Sequence, residues 1–535
     1  MSSLGSIVHQ GLSLAANAFA PYQSTIFIVL AVSTALYMAG RIIYLLNYAP
    51  LSKIPGSRIC KITMLKAHLN TLFGWLGDTC EEEYYRYGDI YVVGPNAVVI
   101  SNPSDCKTVL STHRFMKSGM YRHFALIDDV MFTTQSPELI RARRRQLGPA
   151  FKQGYLNEME PTILEYGIHS IRRKWDEILW SSETKEAIVP YSLHFSMATF
   201  DIIGALGYGQ QFNALRDNSG QIVEWADDYN KLGRLKVVFP STNWFPLSLI
   251  SKPLEKSKDE FAEFSNAACD RRREMLRYGK GEKPMDILQA MLDAEDPESC
   301  IRMTQKQITA ETIGILMAGT DTTSLSISWT LHYLLLHPDA FKRAVHEVRS
   351  TFTRSHTITY AEGKASLPYI DACIHEALRI RGVSAVFLPR IVPEGGATFQ
   401  GHFLPAGTRI AVNVAGVNHH KETWENPRQF MPERFLGDGE KLKQAILTFS
   451  TGVRICPGRK LAHYEIMSIL TNLLKDYDFE LPKNALFRPE RVDKHGYPIA
   501  MPRTHNPVVM PKYPERDCLV VIRHAPESSF KEISG

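Results

Sequence analysis

The chain has 535 residues, of which 44% are hydrophobic and 22% are charged, and this composition excludes a disordered chain, a collagen-like fibre and a small disulfide scaffold. Its net charge of +5 is small for this length and includes no basic stripe, which argues against nucleic acid as a partner. The eight cysteines contain no Cys-x-x-Cys pair, so neither a zinc site nor a redox dithiol is predicted. We expect a reducing compartment in which each cysteine is a small buried apolar residue.

The first 47 residues are predicted to form a lumenal tail and a membrane anchor. No charged residue precedes Arg41, and Tyr22–Gly40 supplies 19 largely apolar residues, close to the length of about 20 residues that spans a bilayer. Five cations and no acid follow this span before Asp78, which predicts a cytoplasmic domain after the anchor. The alternative is a cleaved signal peptide, but the segment lacks a basic start and its apolar run is too long.

A proline-stiffened connector, residues 48–57, separates the anchor from a domain predicted over residues 58–535. Asp89–Ser101 has the composition of a β-hairpin with Gly-Pro-Asn at its turn. Residues from about 137 to 345 are mostly helical by their apolar period. An apolar, proline-containing interruption is predicted at Leu235–Pro246.

A long helix is predicted after Thr304, which can form a capping box with Gln307. Its pattern continues to His337 and is stopped by Pro338. Three further elements complete the prediction: a helix over about 368–381, short strands over 386–415 (Phe387–Arg390 and Phe399–Phe403) and a final helix that begins near Gly458. The predicted fold class is mainly α with a minor β-sheet region, preceded by one N-terminal transmembrane helix.

Several familiar motifs are absent from the sequence. It contains no Gly-x-Gly-x-x-Gly, so no nicotinamide or flavin fingerprint of that kind is present. No phosphate-binding Gly-x-x-x-x-Gly-Lys and no Gly-x-Ser-x-Gly nucleophile motif are found either. His375-Glu376-Ala-Leu-Arg379 approaches the zinc motif His-Glu-x-x-His, but an arginine cannot ligate zinc.

The segment Phe449–Gly458 carries the strongest signal for chemistry. Cys456 stands where the final helix begins, and the free amides and dipole of a helix N-terminus lower a thiol pKa and stabilise the thiolate. Gly452 and Gly458 permit a tight loop and close backbone approach to a flat cofactor. Arg454 suits a carboxylate such as a haem propionate. The alternative is a buried structural cysteine in a turn.

This segment resembles the haem-ligand loop Phe-x-x-Gly-x-Arg-x-Cys-x-Gly of the cytochrome P-450 family. Every fixed position matches: Phe449, Gly452, Arg454, Cys456 and Gly458. The resemblance implies the cytochrome P-450 fold and a haem b cofactor whose iron takes the Cys456 thiolate as its axial ligand. Electron donation from that thiolate favours cleavage of the O–O bond.

Three charged residues match two further segments of the family. Glu376 and Arg379 occupy its Glu-x-x-Arg motif, and Arg434 lies in its Pro-Glu-Arg-Phe segment. These short patterns carry little weight alone, since Glu and Arg three residues apart meet on any helix. The resemblance implies that the three residues form a buried structural ion network behind the haem. Removal of one partner would leave an uncompensated buried charge.

An arginine-rich run before Gln-Leu-Gly-Pro-Ala-Phe151 resembles the family's third helix. The resemblance implies that Arg144 in this run binds a haem propionate and that Arg390 is a further propionate partner. Ile140 stands where the family usually has Trp or His, which removes one expected hydrogen bond to a propionate. The other arginines of the run are expected to be solvated surface charges: Arg141, Arg143 and Arg145.

The hexad Ala318–Thr323 lies in the middle of the long predicted helix, where a glycine followed by hydroxyls and an acid costs helix stability. The resemblance implies that Ala318 and Gly319 face the cofactor and that Gly319 opens room for dioxygen. It also implies that Thr322 donates a hydrogen bond to the activated oxygen while Asp321 relays protons to it. The alternative is a satisfied buried Asp321 in a large core.

The resemblance covers nearly the whole chain and is closest in style to fungal microsomal members, many of which serve secondary metabolism. It implies a haem-thiolate monooxygenase of the endoplasmic reticulum membrane, with a lumenal N-terminus and a cytoplasmic catalytic domain. The enzyme would insert one oxygen atom of O2 into an apolar steroid, terpenoid or polyketide, with hydroxylation as the expected reaction. Electrons would come from NADPH through a separate NADPH–cytochrome P-450 reductase, with cytochrome b5 as a further donor.

Two alternatives to this function stay open. One is a reductase-independent isomerase on the same fold, and the other is a membrane haem protein that binds or senses a ligand without turnover. The pair Asp321–Thr322 favours oxygen activation over both. Cations near the thiolate are expected to dock an acidic face of the reductase: Arg454, Arg459, Lys460, Lys441 and Lys443.

The family's topology also suggests where substrate and membrane meet the domain. The pocket is expected to be lined by mostly apolar segments: about 117–132, the 190–250 region, Ile313–Ala318, Val383–Leu388 and about 505–509. Val237–Ile250 is unusually apolar for a loop. It either dips into the cytoplasmic face of the bilayer or packs onto the domain, and both alternatives stay open.

Overall fold

Helices make up most of the computed structural model, which describes residues 23–218, 221–242, 244–278, 283–384 and 386–530. The helices are α1 Gln23–Asn47, α2 Arg58–Ile62, α3 Leu65–Leu72, α4 Leu76–Tyr87, α5 Pro103–Leu110, α6 Pro137–Leu147, α7 Gln153–Leu164, α8 Ser170–Trp180, α9 Tyr191–Tyr208, α10 Ala214–Asp217, α11 Gln221–Val238, α12 Leu247–Tyr278, α13 Ile287–Asp293, α14 Gln305–Leu336, α15 Pro338–Thr351, α16 Tyr360–Ser366, α17 Pro368–Ile380, α18 Val414–Asn418, α19 Arg459–Asp476 and α20 Pro514–Asp517. The strands are β1 Ile90–Gly94, β2 Ala97–Ile100, β3 Ala187–Pro190, β4 Phe387–Ile391, β5 Ala397–Phe399, β6 His402–Leu404, β7 Arg409–Asn413, β8 Tyr477–Glu480, β9 Arg503–His505, β10 Val509–Pro511 and β11 Leu519–His524. The mainly α fold with a minor β-sheet region is therefore confirmed.

Helix α1 is the predicted membrane anchor. Ser24–Asn47 is long and apolar enough to cross a bilayer, with a mean hydropathy of 2.0, and none of its most apolar stretch is buried in the protein. The helix extends past the predicted end at Gly40 because Ile42–Leu46 continue its apolar sequence. Tyr22 and the predicted lumenal tail lie outside the described residues.

The largest sheet has the strand order β1-β2-β7-β4. Its first two strands form the predicted hairpin, with Ile90 opposite Ile100, and β7 runs parallel to β2. The expected strand Phe399–Phe403 is wrong, because Gln400 and Gly401 have positive φ and form the turn between β5 and β6. The strand β3 was not predicted, since it is short and pairs with β11 from the far end of the chain.

Helix α14 crosses the domain core. Thr304 caps its N-terminus in a capping box with Gln307, as predicted, and the helix ends at Leu336, before His337 and Pro338. Its side chains are buried on nearly every face, which fits a helix packed on all sides. Helices α9, α17 and α19 pack against it, and α17 and α19 have the bounds that the sequence predicts within two residues.

The predicted interruption in the helical region is shorter than expected. Helix α11 continues to Val238 and α12 begins at Leu247. Within the predicted interruption, the non-helical part is therefore limited to residues 239–246, of which the structure does not describe Asn243. Leu235–Val238 stays helical because it continues the apolar face of α11, on which Val237 lines an internal cavity.

A buried ion network joins α17 to the loop before α19. The Arg379 guanidinium donates two hydrogen bonds to the Glu376 carboxylate, at 2.7 and 2.8 Å, and Arg434 Nε donates to the same carboxylate at 3.1 Å. Glu376 and Arg379 are fully buried. Arg379 also donates to the carbonyl groups of Asn418 and Pro427. The structure therefore brings together the three residues that the sequence assigned to this network.

Replacement of Glu376 by Gln is expected to destabilise the domain strongly, because Arg379 and Arg434 would then share no counter-charge. Breaking a buried ion pair in this way costs about 3–5 kcal/mol. The measurement is the denaturant dependence of unfolding of the haem-loaded protein. Glu433→Gln is the matched control, because Glu433 is half exposed in the neighbouring turn and bonds the exposed Arg343. Its expected cost is below about 1 kcal/mol, and equal losses in the two variants would contradict the prediction.

Candidate active site

Cys456 lies in a tight loop directly before α19. Its backbone N–H donates to the Phe449 carbonyl at 2.8 Å, which closes the loop. Gly452 has φ +61°, and a Cβ there would lie 2.5 Å from Ser111 Cα, so this position requires glycine. The Cys456 side chain is exposed to an internal cavity of about 760 Å³. Of the other seven cysteines, only Cys300 is exposed, against the expectation that every cysteine is buried.

Two opposing effects act on the Cys456 thiol. Burial raises its pKa overall, which corrects the prediction of a lowered thiol pKa. The backbone amides of Gly458 and Arg459 bond the sulfur and lower the pKa, and the charge of Arg144 does the same. These amides belong to the start of α19, so the helix N-terminus is aimed at the sulfur as the sequence indicates. The loop is thus prepared to stabilise a thiolate once a cation binds it.

Three guanidinium groups lie beside this loop without a counter-ion. All three nitrogens of the Arg454 side chain are buried and have no hydrogen-bond partner, and Arg144 Nε and Arg390 Nε also lack partners. Arg144 donates to the Ile455 carbonyl, and Arg390 donates to the Tyr121 hydroxyl at 2.9 Å. Burial, Arg390 and Arg144 lower the pKa of Arg454 to about 10. Among the described residues, no carboxylate pairs with any of the three.

Lys117 is a further basic residue beside these arginines that the sequence analysis did not identify as a site residue. Burial, Arg454, Arg390 and Arg144 lower its pKa to about 6. Its ammonium group donates to the carbonyl groups of Met131 and Phe132 at 2.9 and 2.7 Å. Nothing in the loop sequence around Lys117 distinguishes it from a surface lysine, so its position depends on tertiary packing alone.

These groups fit a haem. A buried cluster of guanidinium groups with orphaned donors requires an anionic ligand, and the two propionates of a haem supply two negative charges. Cys456 lines the same cavity and supplies the soft ligand that iron accepts. Ile140, which lines the cavity as well, contributes no polar group.

Helix α14 forms another wall of the cavity. Ala318 is exposed there although it lies in the middle of a buried helix, and Asp321 and Thr322 line the cavity beside it. The Thr322 hydroxyl donates to the Ala318 carbonyl at 2.6 Å. A Cβ at Gly319 would lie 2.6 Å from the side chain of Ile203. Close packing against Ile203 therefore requires glycine here, and the expected room for dioxygen stays a prediction, since Gly319 also lines the cavity.

Asp321 is poised between its protonated and ionised forms. Burial and the nearby charge of Asp227 on α11 raise the pKa of the Asp321 carboxyl to about 6. Among the described residues, no group donates a hydrogen bond to its side chain. The alternative of a satisfied Asp321 in a packed core is therefore wrong, because the carboxyl faces a cavity without a partner.

Two further acids line the cavity and were missed. Both carboxylate oxygens of Glu465 on α19 are buried without a partner, and burial raises the pKa of this carboxyl well above its usual value. Glu311 on α14 pairs with Arg143 at 3.2 Å and accepts from the Met131 N–H at 2.8 Å. The sequence signal for Glu465 is an acid among the apolar positions of α19. The signal for Glu311 is an acid beside the apolar run Ile313–Met317 of the long helix.

The arginines next to Arg144 do not all reach solvent. Arg143 is buried against Glu311, so its prediction as a surface charge is wrong. Arg145 bonds Asp296, with a quarter of its side chain exposed, while Arg141 is half exposed as predicted. The burial of Arg143 follows from its partner on α14, which lies far away in the sequence.

The predicted pocket segments and most of the predicted site residues line one and the same cavity. Its lining includes residues from every expected pocket segment, although Ala385 lies outside the described residues. It also includes most of the predicted site residues: Arg144, Ala318, Gly319, Asp321, Thr322, Arg390, Phe449, Arg454, Cys456 and Gly458. Gly452 shapes the loop from behind. Met64, between α2 and α3, and Thr71, on α3, also line the cavity, although the sequence analysis did not predict this segment as part of the pocket.

Comparisons with known proteins agree with this site. The family model described as Cytochrome P450 matches residues 68–498. The chain is 40% identical to the cytochrome P-450 monooxygenase helB1 of Aspergillus fumigatus, over 94% of this chain and 87% of that protein. It is 30% identical to the monooxygenase lcsI of Purpureocillium lilacinum, over 83% of this chain and 87% of that protein. A crystal structure of a cytochrome P-450 haem domain superposes with a TM-score of 0.71 at 20% identity, covering 87% of this chain and 96% of that one.

Proposed function

This chain belongs to the cytochrome P-450 family of haem-thiolate monooxygenases, and we propose that it hydroxylates an apolar small molecule of the steroid, terpenoid or polyketide type. One atom of O2 enters a C–H bond of the substrate and the other leaves as water. NADPH supplies the two electrons, with one proton taken from solution. The observation that carries the proposal is the cavity that joins Cys456, the unpaired arginines and the pair Asp321–Thr322.

The chain's own residues have separate tasks in this proposal. Arg144, Arg390 and Arg454 hold the propionates, and the loop around Cys456 presents the sulfur. When bound, the haem-thiolate cleaves dioxygen and delivers one oxygen atom to the substrate. Thr322 offers a hydroxyl at the cavity surface, and Asp321 holds a proton that it can release near neutral pH.

The electrons come from a separate reductase in this proposal, since the sequence has no nicotinamide or flavin fingerprint. Exposed cations near the Cys456 loop suit an acidic partner face: Lys441, Arg459 and Lys460. Two of the expected docking residues do not belong to this surface. Arg454 is buried in the cavity wall, and Lys443 bonds Asp371 and Glu440.

Helix α1 supports attachment to the endoplasmic reticulum membrane, with the catalytic domain in the cytoplasm. Arg41 near the end of α1 and the four cations that follow this helix before Asp78 favour this orientation. The loop between α11 and α12 supports a second contact with the bilayer. Trp244 is 58% exposed and Phe245 is 73% exposed, which favours the dipping loop over the packed one. A lipid-soluble substrate would then enter without crossing water.

The function is tested with isotopically labelled dioxygen, NADPH, purified reductase and a panel of apolar steroids, terpenoids and polyketides. We expect one labelled oxygen atom in the product and none without NADPH. Cys456→Ser should abolish both the product and the thiolate signature of the reduced carbonyl complex. Cys373→Ser should keep both, because Cys373 is buried away from the cavity lining. Product formation without NADPH would indicate an isomerase, and binding shifts without any product would indicate a sensor.

The yield of product per NADPH consumed is expected to fall as the pH rises through about 6, the pKa of Asp321. Below this pH the carboxyl is protonated and can donate, and above it the carboxylate cannot. Asp321→Asn should remove this pH dependence. Thr322→Ala should lower the yield at every pH, with more peroxide released, but keep the dependence. A wild-type yield that is constant between about pH 5 and pH 8 would contradict the prediction.

The loop contact predicts that a protein without residues 1–47 still binds phosphatidylcholine vesicles. Removing these residues costs little packing, since the apolar stretch of α1 is not buried in the domain. Replacing both Trp244 and Phe245 by Ser should release the truncated protein from the vesicles. Trp180→Ser is the control, because Trp180 is 69% exposed at the end of α8. A truncated protein that does not sediment with vesicles would show that α1 is the sole attachment.

A further inference from the structure

A polar patch on α11 and β9 lines part of the cavity. Asn230 and Arg234 stand one turn apart on the same face of α11, and both line the cavity, as does Val237. His505, at the end of β9, lines the cavity next to them, and its carbonyl accepts a hydrogen bond from Arg234 at 3.5 Å. The patch consists of Asn230, Arg234 and His505.

Arg234 is a partly buried cation without a carboxylate partner among the described residues. Burial lowers the pKa of its guanidinium, and the charge of Asp227 opposes this effect. Asp227 is already bonded by Lys231 at 2.8 Å and by the Asn506 amide at 3.1 Å. Within the described parts of the chain, no carboxylate lies within 4 Å of Arg234. A guanidinium group that has lost part of its hydration and has no carboxylate partner is expected to bind an anionic ligand.

The other two residues of the patch have unused hydrogen-bonding groups. His505 is 8% exposed, and neither ring nitrogen has a hydrogen-bond partner. Burial and Arg234 lower its pKa to about 4, so the ring is neutral near pH 7 and adds no charge. Asn230 is 5% exposed, and its amide bonds no other group in the described residues. Arg234 is therefore the single charge of the patch.

The patch is separate from the arginines that suit the haem propionates. Arg234 lies on α11 and contacts β9, whereas Arg144, Arg390 and Arg454 lie on α6, β4 and the loop before α19. The cavity therefore has a further cationic side chain on the wall formed by α11.

We propose that Arg234, Asn230 and His505 bind a carboxylate of the substrate, which makes the substrate an apolar carboxylic acid. The inference rests on the proposed monooxygenase function and refines its substrate class. A carboxylate matches the planar fork of a guanidinium group and neutralises its single charge. A ketone or hydroxyl would leave the buried charge of Arg234 uncompensated, and a phosphate would bring more charge than one arginine neutralises.

The test uses the haem-loaded, full-length enzyme and three pairs of probes: palmitic, abietic and cholanic acid, each with its methyl ester. Dissociation constants are measured from the shift of the haem absorption on binding. A hydrogen-bonded ion pair in a buried site corresponds to a preference of at least about tenfold for the acid in one or more pairs. The absence of such a preference in all three pairs, including the absence of binding, would overturn the proposal.

Variants on the same helix locate the effect. Arg234→Gln should weaken acid binding about tenfold or more and change ester binding less than about threefold. Arg234→Lys should restore part of the acid preference, because it keeps the charge without the fork. Lys236→Gln is the control, since Lys236 bonds Glu255. An acid preference that survives Arg234→Gln in a protein with normal haem content would also overturn the proposal.

Two outcomes separate this inference from the proposed function. Oxidation of the esters at least as efficiently as the acids would support the monooxygenase function and exclude carboxylate binding by Arg234. Tight binding of an acid that depends on Arg234, together with no NADPH-dependent product from any probe, would support carboxylate binding and exclude the monooxygenase function. If Arg234→Gln loses its haem, the acid–ester comparison on the wild-type enzyme and on Arg234→Lys still decides the proposal.

Discussion

The buried positive charge of Arg144, Arg390 and Arg454 is the constraint on which the catalytic domain depends. These residues come from α6, β4 and the loop before α19, so they meet only in the folded domain. Like charges that are buried together without a counter-ion cost several kcal/mol. The two propionates of a haem would offset two of these three charges and tie the segments together. In the proposed function its iron would bind the sulfur of Cys456, so folding, cofactor retention and iron ligation would be parts of one equilibrium.

A second charged cluster behaves in the opposite way. Glu376 bonds both Arg379 and Arg434, and the remaining donors of Arg379 reach backbone carbonyl groups. This cluster contains its own carboxylate and holds the segment with Arg434 against α17, although one Arg434 nitrogen is buried without a hydrogen-bond partner among the described residues. The domain thus combines an ion network that has its own counter-charge with an arginine cluster beside the Cys456 loop that has none among the described residues.

The sequence predicted elements whose signals are local. The capping box at Thr304, the apolar run of α1 and the spacing around Cys456 depend on neighbouring residues alone, and the structure has these elements. Contacts between distant segments were not predictable. Arg143 and Arg144 are adjacent and chemically identical, but one faces Glu311 and the other faces the Cys456 loop. Lys117 and β3 likewise depend on partners that no pattern in the sequence identifies.

Helix α11 links two properties that are usually measured apart. Its C-terminal end leads into the exposed loop with Trp244 and Phe245, while Arg234 lines the cavity and Asp227 raises the pKa of Asp321, which also lines it. A helix moves as a stiff body, so a displacement of the loop shifts the charges at the cavity wall. Free energies that couple two binding events act equally in both directions. With the proposed loop contact, the affinity of this enzyme for a bilayer and its affinity for a substrate would therefore depend on each other, and each would have to be stated with the occupancy of the other.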